Sequence, residues 1–335
     1  MSIRKGVDGD KRLSRLSDDK KEVDRKYRNL LRENRKLELE VDAAFEIKAH
    51  RKIHKIRPRE LKRDSEATAV CVLSDWHVEE EVFANTVNGR NKYNLDIAKK
   101  RADLCFERIA RFVKKERQDV HIHELILPLL GDFITGRLHE ENLEVCLLRP
   151  MEAILFAQEL IESGITFLLE NTNLQITIPC CVGNHSRITR RVHHTTEQGN
   201  SLEWFMYHNL ANRFKEEERV QFVISQGYLL YMDVYKTKLR LHHGHNVRYG
   251  GGVGGLTIPM NKAISQWDLE RQADVSINGH FHQYMPMRRY VSNGSLIGYN
   301  AFAVAIKAEY EPPCQSFFLI DKKRGKTISI PILFE

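Results

Sequence analysis

The chain has 335 residues, 42% of them apolar, with 52 Lys and Arg against 45 Asp and Glu for a formal net charge of +7. That is enough for one or two domains with sizeable cores, while no apolar run reaches the roughly 18 residues of a membrane span, so no membrane association is expected. The opening residues are charged, and none of the six cysteines forms C-x-x-C, which points to reduced thiols in a non-secreted, cytoplasmic protein.

The positive charge is concentrated at one end. Residues 1–64 carry 21 Lys and Arg against 13 Asp and Glu, whereas the remainder carries 31 against 32. Residues 1–12 read as disordered. From Leu13 a heptad sets in, with Leu13, Lys20, Tyr27, Asn34 and Val41 at one seam position and Leu16, Val23, Leu30 and Leu37 at the other. Such a seam over about four heptads predicts a helical, coiled-coil arm over 1–46, and a buried amide at Asn34 favours two strands. In a parallel dimer Asp19 would face Asp24, and Glu33 would face Glu38, so a long helix docking on another protein is the alternative. Residues 47–66 follow as a linker dense in cations (Lys48, Arg51, Lys52, Lys55, Arg57, Arg59, Lys62 and Arg63), broken by Pro58.

A catalytic-sized body is expected over 67–335. Ala69 to Leu73, Glu124 to Leu130 and Leu174 to Val182 read as buried strands, and 95–118, 150–170 and 200–215 as helices. The period then changes to two over Val220 to Val223, Tyr228 to Tyr235 and Lys238 to His242, which predicts antiparallel strands. A helix over 260–271, a strand from Val275 to Asn278, and further strands over Ser295 to Ala305 and Ser316 to Ile332 complete the chain. Parallel βαβ units followed by antiparallel strands predict an α/β sandwich of mixed sheets flanked by helices.

Metal-binding residue types recur at the ends of these strands. Asp75 and His77 follow the first, Asp132 the second, and Asn184 with His185 the third; His242, His243 and His245 close a later strand, and His280 and His282 follow Asn278. Oxygen and imidazole donors without thiolate suit Mn²⁺, Fe, Zn²⁺ or Ni²⁺ and hydrolysis more than a structural site.

The order D-x-H, G-D, G-N-H, H and G-H-x-H, here Asp75-Trp76-His77, Gly131-Asp132, Gly183-Asn184-His185, His243 and Gly279-His280-Phe281-His282, resembles the calcineurin-like metallophosphoesterase superfamily over residues 68–285. The resemblance implies a metallophosphoesterase β-sandwich holding two divalent metal ions, with Mn favoured and Fe, Zn, Ni or Mg as alternatives. Asp75, His77, Asp132 and His282 would hold the first ion, and Asp132, Asn184, His243 and His280 the second. His185 would be the catalytic histidine, and a hydroxide between the metals would attack phosphorus. His243 is chosen over His242 and His245 because it directly precedes Gly244. The sequence departs from the protein phosphatases, which resemble G-D-x-x-D-R-G and G-N-H-E; Thr135 and Ser186 stand at the differing positions.

Arg187, Arg190 and Arg191 follow the G-N-H block and either grip a nucleic-acid backbone or form a solvated loop. Gly250 to Gly255 lacks the Lys-Ser/Thr of a phosphate-binding loop and reads as a flap. With the basic arm, these features favour a DNA exo- or endonuclease of the superfamily. A phosphatase, a small-nucleotide phosphodiesterase and a catalytically silent oligomeric scaffold are the alternatives. DNA and a second copy of the chain, or a helical protein, are the expected partners.

Overall fold

A computed structural model of the chain describes residues 3–49, 65–137, 140–249 and 254–334. It divides into two units, 1–60 and 61–335. Among its described residues the first consists of the helix α1 (Ile3–Ala49). At 1.5 Å per residue it is about 70 Å long. It begins within the segment expected to be disordered, where no proline opposes it, and runs past residue 46. Its seam side chains are exposed, from 67% at Leu13 to 51% at Val41. The pairs Lys26–Glu22 (2.8 Å) and Lys36–Glu40 (3.9 Å) bridge successive turns, each contributing a few tenths of a kcal/mol. Most of the cationic linker, and the flap from 250 to 253, lie outside the described residues.

The second unit follows in chain order as β1 (Glu66–Cys71), α2 (Leu95–Glu116), β2 (His121–Ile126), the single turn α3 (Asn142–Val145), α4 (Pro150–Asn171), β3 (Gln175–Cys180), α5 (Leu202–Arg213), β4 (Val220–Ile224), β5 (Leu230–Val234), β6 (Thr237–His242), α6 (Thr257–Trp267), β7 (Val275–Asn278), β8 (Met285–Pro286), β9 (Tyr290–Ser292), α7 (Ala301–Ala305), β10 (Cys314–Asp321) and β11 (Gly325–Leu333). Two mixed sheets result, with strand orders β11-β10-β1-β2-β3-β4 and β5-β6-β7-β9-β8. In the first, β1 to β4 are parallel and β10 and β11 antiparallel. In the second, β6, β7 and β9 are parallel, with β5 and β8 antiparallel at the edges.

Strand alternation explains the layering. On β1 and its continuation, Ala69, Cys71 and Leu73 join one apolar cluster while Val70 and Val72 join another; on β10, Phe317 and Leu319 part from Phe318 and Ile320 in the same way. The first sheet is therefore buried on both faces, by helices on one side and by the second sheet on the other. The helix side packs Ala102, Cys105, Phe106 and Ile109 of α2 and Ala157, Ile161 and Ile165 of α4. The second sheet supplies Leu239, Leu241, Ile277 and Val291 to the shared layer. Its β9 and the 280s loop pack Tyr290 and Phe281 with Met260 and Ile264 of α6. Phe318 is fully buried between the sheets; truncating such a ring to Ala costs about 3–5 kcal/mol.

Two local expectations differ from the structure. β4 was expected among antiparallel strands, but it pairs in parallel with β3, Ile178 opposite Phe222. The run Ser295 to Ala305 is a loop ending in α7, not a strand. Asn300 explains the difference: its side chain accepts the Ala303 N–H at 3.1 Å and caps a helical turn. The short β8 and β9 carried no usable period. All six cysteines are free thiols, and no helix among the described residues is long and apolar enough to cross a membrane.

Candidate metal centre

The loops that leave the C-terminal ends of β1, β2, β3, β6 and β7 meet at one edge of the sandwich, where open α/β sheets place their ligands. Backbone bonds fasten the first two, with Asp75 N donating to Gly131 O (3.0 Å) and Trp76 N to Asp132 O (2.9 Å). The β6 and β7 loops join through Gly279 N to His243 O (2.8 Å). The loops approach so closely that a methyl group at Gly183 would collide with the Asp132 carboxylate, and one at Gly279 with Asp75.

Two groups of donors result: Asp75, His77 and His282, and Asp132, His243 and His280, with the ligand atoms of each within 4.8 Å of one another. His282 Nε2 lies 3.5 Å from Asp75 Oδ1, and His243 Nε2 lies 2.8 Å from Asp132 Oδ2. The second group touches the first through the His280 N–H, which donates to both Asp75 oxygens at 2.9 Å. His280 Nδ1 also lies 3.2 Å from His243 Nε2. Asn184 Oδ1 and His77 Nε2 are buried without a hydrogen-bond partner. Orphaned buried acceptors are rare in proteins. An acceptor oxygen and an imidazole nitrogen left in this state, on residues of the loops that carry Asp75 and Asp132 or are bonded to them, fit divalent cations.

Asp75, His77, Asp132, His280 and His282 all adopt left-handed backbone conformations, with φ between 48° and 72°. Asp and His tolerate this region better than most residues, but it still stores of order 1 kcal/mol at each position. Five such residues in one cluster mark a site whose geometry is imposed by the surrounding fold.

Electrostatics follow from burial. Burial pushes His77 and His280 well below the ordinary imidazole range. Burial also opposes ionisation of Asp132, but His243, His185 and His77 outweigh it and hold the carboxyl well below its usual value. His243 is the converse: burial disfavours its charge, and Asp132 raises it to about 10. His243 Nδ1 donates to Leu130 O at 2.7 Å, which aims Nε2 into the cluster.

The three histidines near Gly244 separate. His243 stands in the cluster. His242 is buried against Trp267, with ring centroids 4.9 Å apart. His245 packs 5.5 Å from His243 and pairs with the buried Glu197 at 2.8 Å. His185 stands edge-on to His77 at 5.0 Å; its N–H meets Asp132 Oδ1 at 2.8 Å and its Nδ1 donates to Thr135 O at 2.9 Å. Of the three arginines, Arg187 is half-buried, its Nη1 bonded to the Asn184 carbonyl and its Nε buried without a partner. Arg190 and Arg191 are exposed.

Several supporting residues had no signal in the sequence. Ser74 Oγ donates to Asp75 Oδ2 (2.5 Å) and accepts from Asn293 Nδ2 (2.8 Å), while Gln315 Oε1 accepts the Ser74 N–H (2.9 Å). Glu203, fully buried on α5, accepts from Phe133 N (2.7 Å) and Gly183 N (2.8 Å), joining the loops that carry Asp132 and Asn184. Glu79 Oε1 accepts from Thr135 N and Gly136 N at 2.9 and 2.8 Å.

No family model and no curated protein matches the chain. Solved structures similar to it include Vps29 of Entamoeba histolytica, at 12% identity over 78% of this chain and 98% of that one with a TM-score of 0.33. A predicted phosphoesterase of Streptococcus pneumoniae matches at 13% identity over 79% and 97%, TM-score 0.30. The sulfate thiohydrolase SoxB of Thermus thermophilus matches at 10% over 84% and 58%, TM-score 0.33. With identities and TM-scores this low, function has to be read from the site itself. The two mixed sheets flanked by helices are the architecture that the resemblance to calcineurin-like metallophosphoesterases implies.

Proposed function

We propose that this protein is a dinuclear metal-dependent phosphoesterase that hydrolyses phosphodiester bonds in DNA, with Mn²⁺ the favoured metal and Fe, Zn²⁺, Ni²⁺ or Mg²⁺ as alternatives. The observation that carries the reading is the pair of adjoining donor groups, together with the orphaned Asn184 Oδ1. Asp75, His77 and His282 are assigned to one ion, and Asn184, His243 and His280 to the other, with Asp132 shared. When bound, two divalent ions supply Lewis acidity and a water of lowered pKa.

The chain's own groups do the rest. Donation from His185 Nδ1 to Thr135 O directs chemistry at this ring through Nε2, where it would protonate the leaving oxygen or stabilise developing charge. The Arg187 guanidinium, anchored on the carbonyl of Asn184, is placed to oppose phosphate charge. Arg190, Arg191 and the cationic segment 47–63 support a polyanionic substrate. The chain is read as an arm over 1–46 that self-associates or docks on a helical protein, a basic linker over 47–66 and a catalytic domain over 67–335, working in the cytoplasm.

The purified protein with Mn²⁺ is incubated with labelled single- and double-stranded DNA, bis-p-nitrophenyl phosphate and p-nitrophenyl phosphate. Cleavage of DNA and of the diester supports the reading. Cleavage of the monoester alone replaces it with a phosphatase, and inertness of the metal-bound protein towards all of them favours the scaffold.

A further inference from the structure

Thr135 touches the site at every one of its polar atoms. Its N–H donates to Glu79 Oε1 at 2.9 Å, its carbonyl accepts from His185 Nδ1 at 2.9 Å, and its hydroxyl lies 3.0 Å from Glu80 Oε2 and 2.9 Å from His77 Nδ1. Thr135 is 2% exposed. The hydroxyl has one proton to give, and it donates to Glu80 Oε2. Its oxygen is then left to accept from His77 Nδ1. That requires the proton of His77 on Nδ1 and the lone pair on Nε2, the ring atom buried without a partner, in a residue that groups with Asp75 and His282. Glu80 is itself held, its Oε1 accepting from Asn300 Nδ2 at 3.0 Å.

We propose that Thr135, oriented by Glu80, is a positioning residue that fixes the ring of His77 so that Nε2 faces the metal group of Asp75 and His282, while its carbonyl fixes His185 in the same sense. The inference rests on the dinuclear reading above. Outer partners of ligating histidines set the tautomer and ring orientation, and their loss weakens metal binding about 10- to 100-fold. The hydroxyl acts on one ion only, because nothing it touches belongs to the group of His243 and His280.

The test is calorimetric titration of the full-length chain with Mn²⁺. Thr135→Val removes the hydroxyl and leaves both backbone contacts, and Thr135→Ser restores the hydroxyl; Thr135→Ala replaces the Val variant if that one does not fold. Wild type is expected to bind two ions. In the Val or Ala variant one of the two sites should weaken about 10- to 100-fold, the other should hold, and Ser should recover the lost affinity. Equal weakening of both sites, unchanged binding, or a Ser variant no better than Val each overturns the role of Thr135 while leaving the dinuclear site standing. A wild type that binds no pair of ions overturns the dinuclear reading itself, and this inference with it.

Discussion

The N-terminal helix and the strand-end cluster are opposite kinds of exposure. On α1, apolar side chains such as Leu16, Val23 and Leu30 stand 60–63% exposed. In the cluster, Asp75, Asp132 and His243 are at most 1% exposed, and Asn184 Oδ1 has no partner. Soluble proteins rarely keep either arrangement unless something meets it. The difference teaches that the two proposed roles, an apolar seam for another helix and buried donors for cations, rest on separate features, so each can be broken separately.

The largest effect is expected at the buried end. Asn184→Ala and His185→Ala should each reduce diester hydrolysis by about 10²- to 10⁴-fold, measured as initial rates with saturating Mn²⁺. Activity that survives both substitutions would assign the chemistry to another site. Next comes the arm: deleting residues 1–46 should lower the oligomeric state, read by light scattering as the measured mass divided by the mass of one shortened chain, while leaving hydrolysis of bis-p-nitrophenyl phosphate in place. An unchanged number of copies would remove self-association through the seam. Mn²⁺ should then raise the thermal midpoint, since an ion at 100 times its Kd stabilises the folded state by about 2.7 kcal/mol per site; a midpoint unmoved by Mn²⁺ and by chelator would separate the cluster from metals.

The smallest effect concerns pH. Burial pushes the Glu79 carboxyl up from 4.5 to about 7. Folding therefore favours its protonated form, and that contribution is full below about pH 4.5 and lost as pH rises through 7. Glu79→Gln keeps an acceptor for Thr135 N and Gly136 N without the charge. It should flatten the stability profile of the metal-free protein between those values and gain on the order of 1–3 kcal/mol at pH 8. Chemical denaturation across pH reads this directly, and parallel profiles would refute it.

Much of this was legible because donor residues at strand ends leave a local signature. Short apolar runs ending in Asp75, Asp132, Asn184 and His280 can be read one at a time, and their order suggests a shared edge. The heptad of α1 was equally visible, as periodicity is a one-dimensional property. What stayed hidden depends on the third dimension. Glu203 sits within the helical run Leu202-Glu203-Trp204, where nothing marks it as the carboxylate that ties two distant loops. Gln315 and Asn293 reach Ser74 across more than two hundred residues. The left-handed conformations of five cluster residues come from loops pressed together, which no single loop dictates. The strand expected over 295–305 failed for the opposite reason: a local cap at Asn300 outweighed an apolar run too short to choose its own state.

The most direct test is a crystal structure of the protein soaked in Mn²⁺, with anomalous scattering recorded at the manganese edge. The account predicts two peaks about 4 Å apart, one bounded by Asp75, His77 and His282, the other by Asn184, His243 and His280, with Asp132 between them. A single peak elsewhere, or none at this edge of the sandwich, would contradict it.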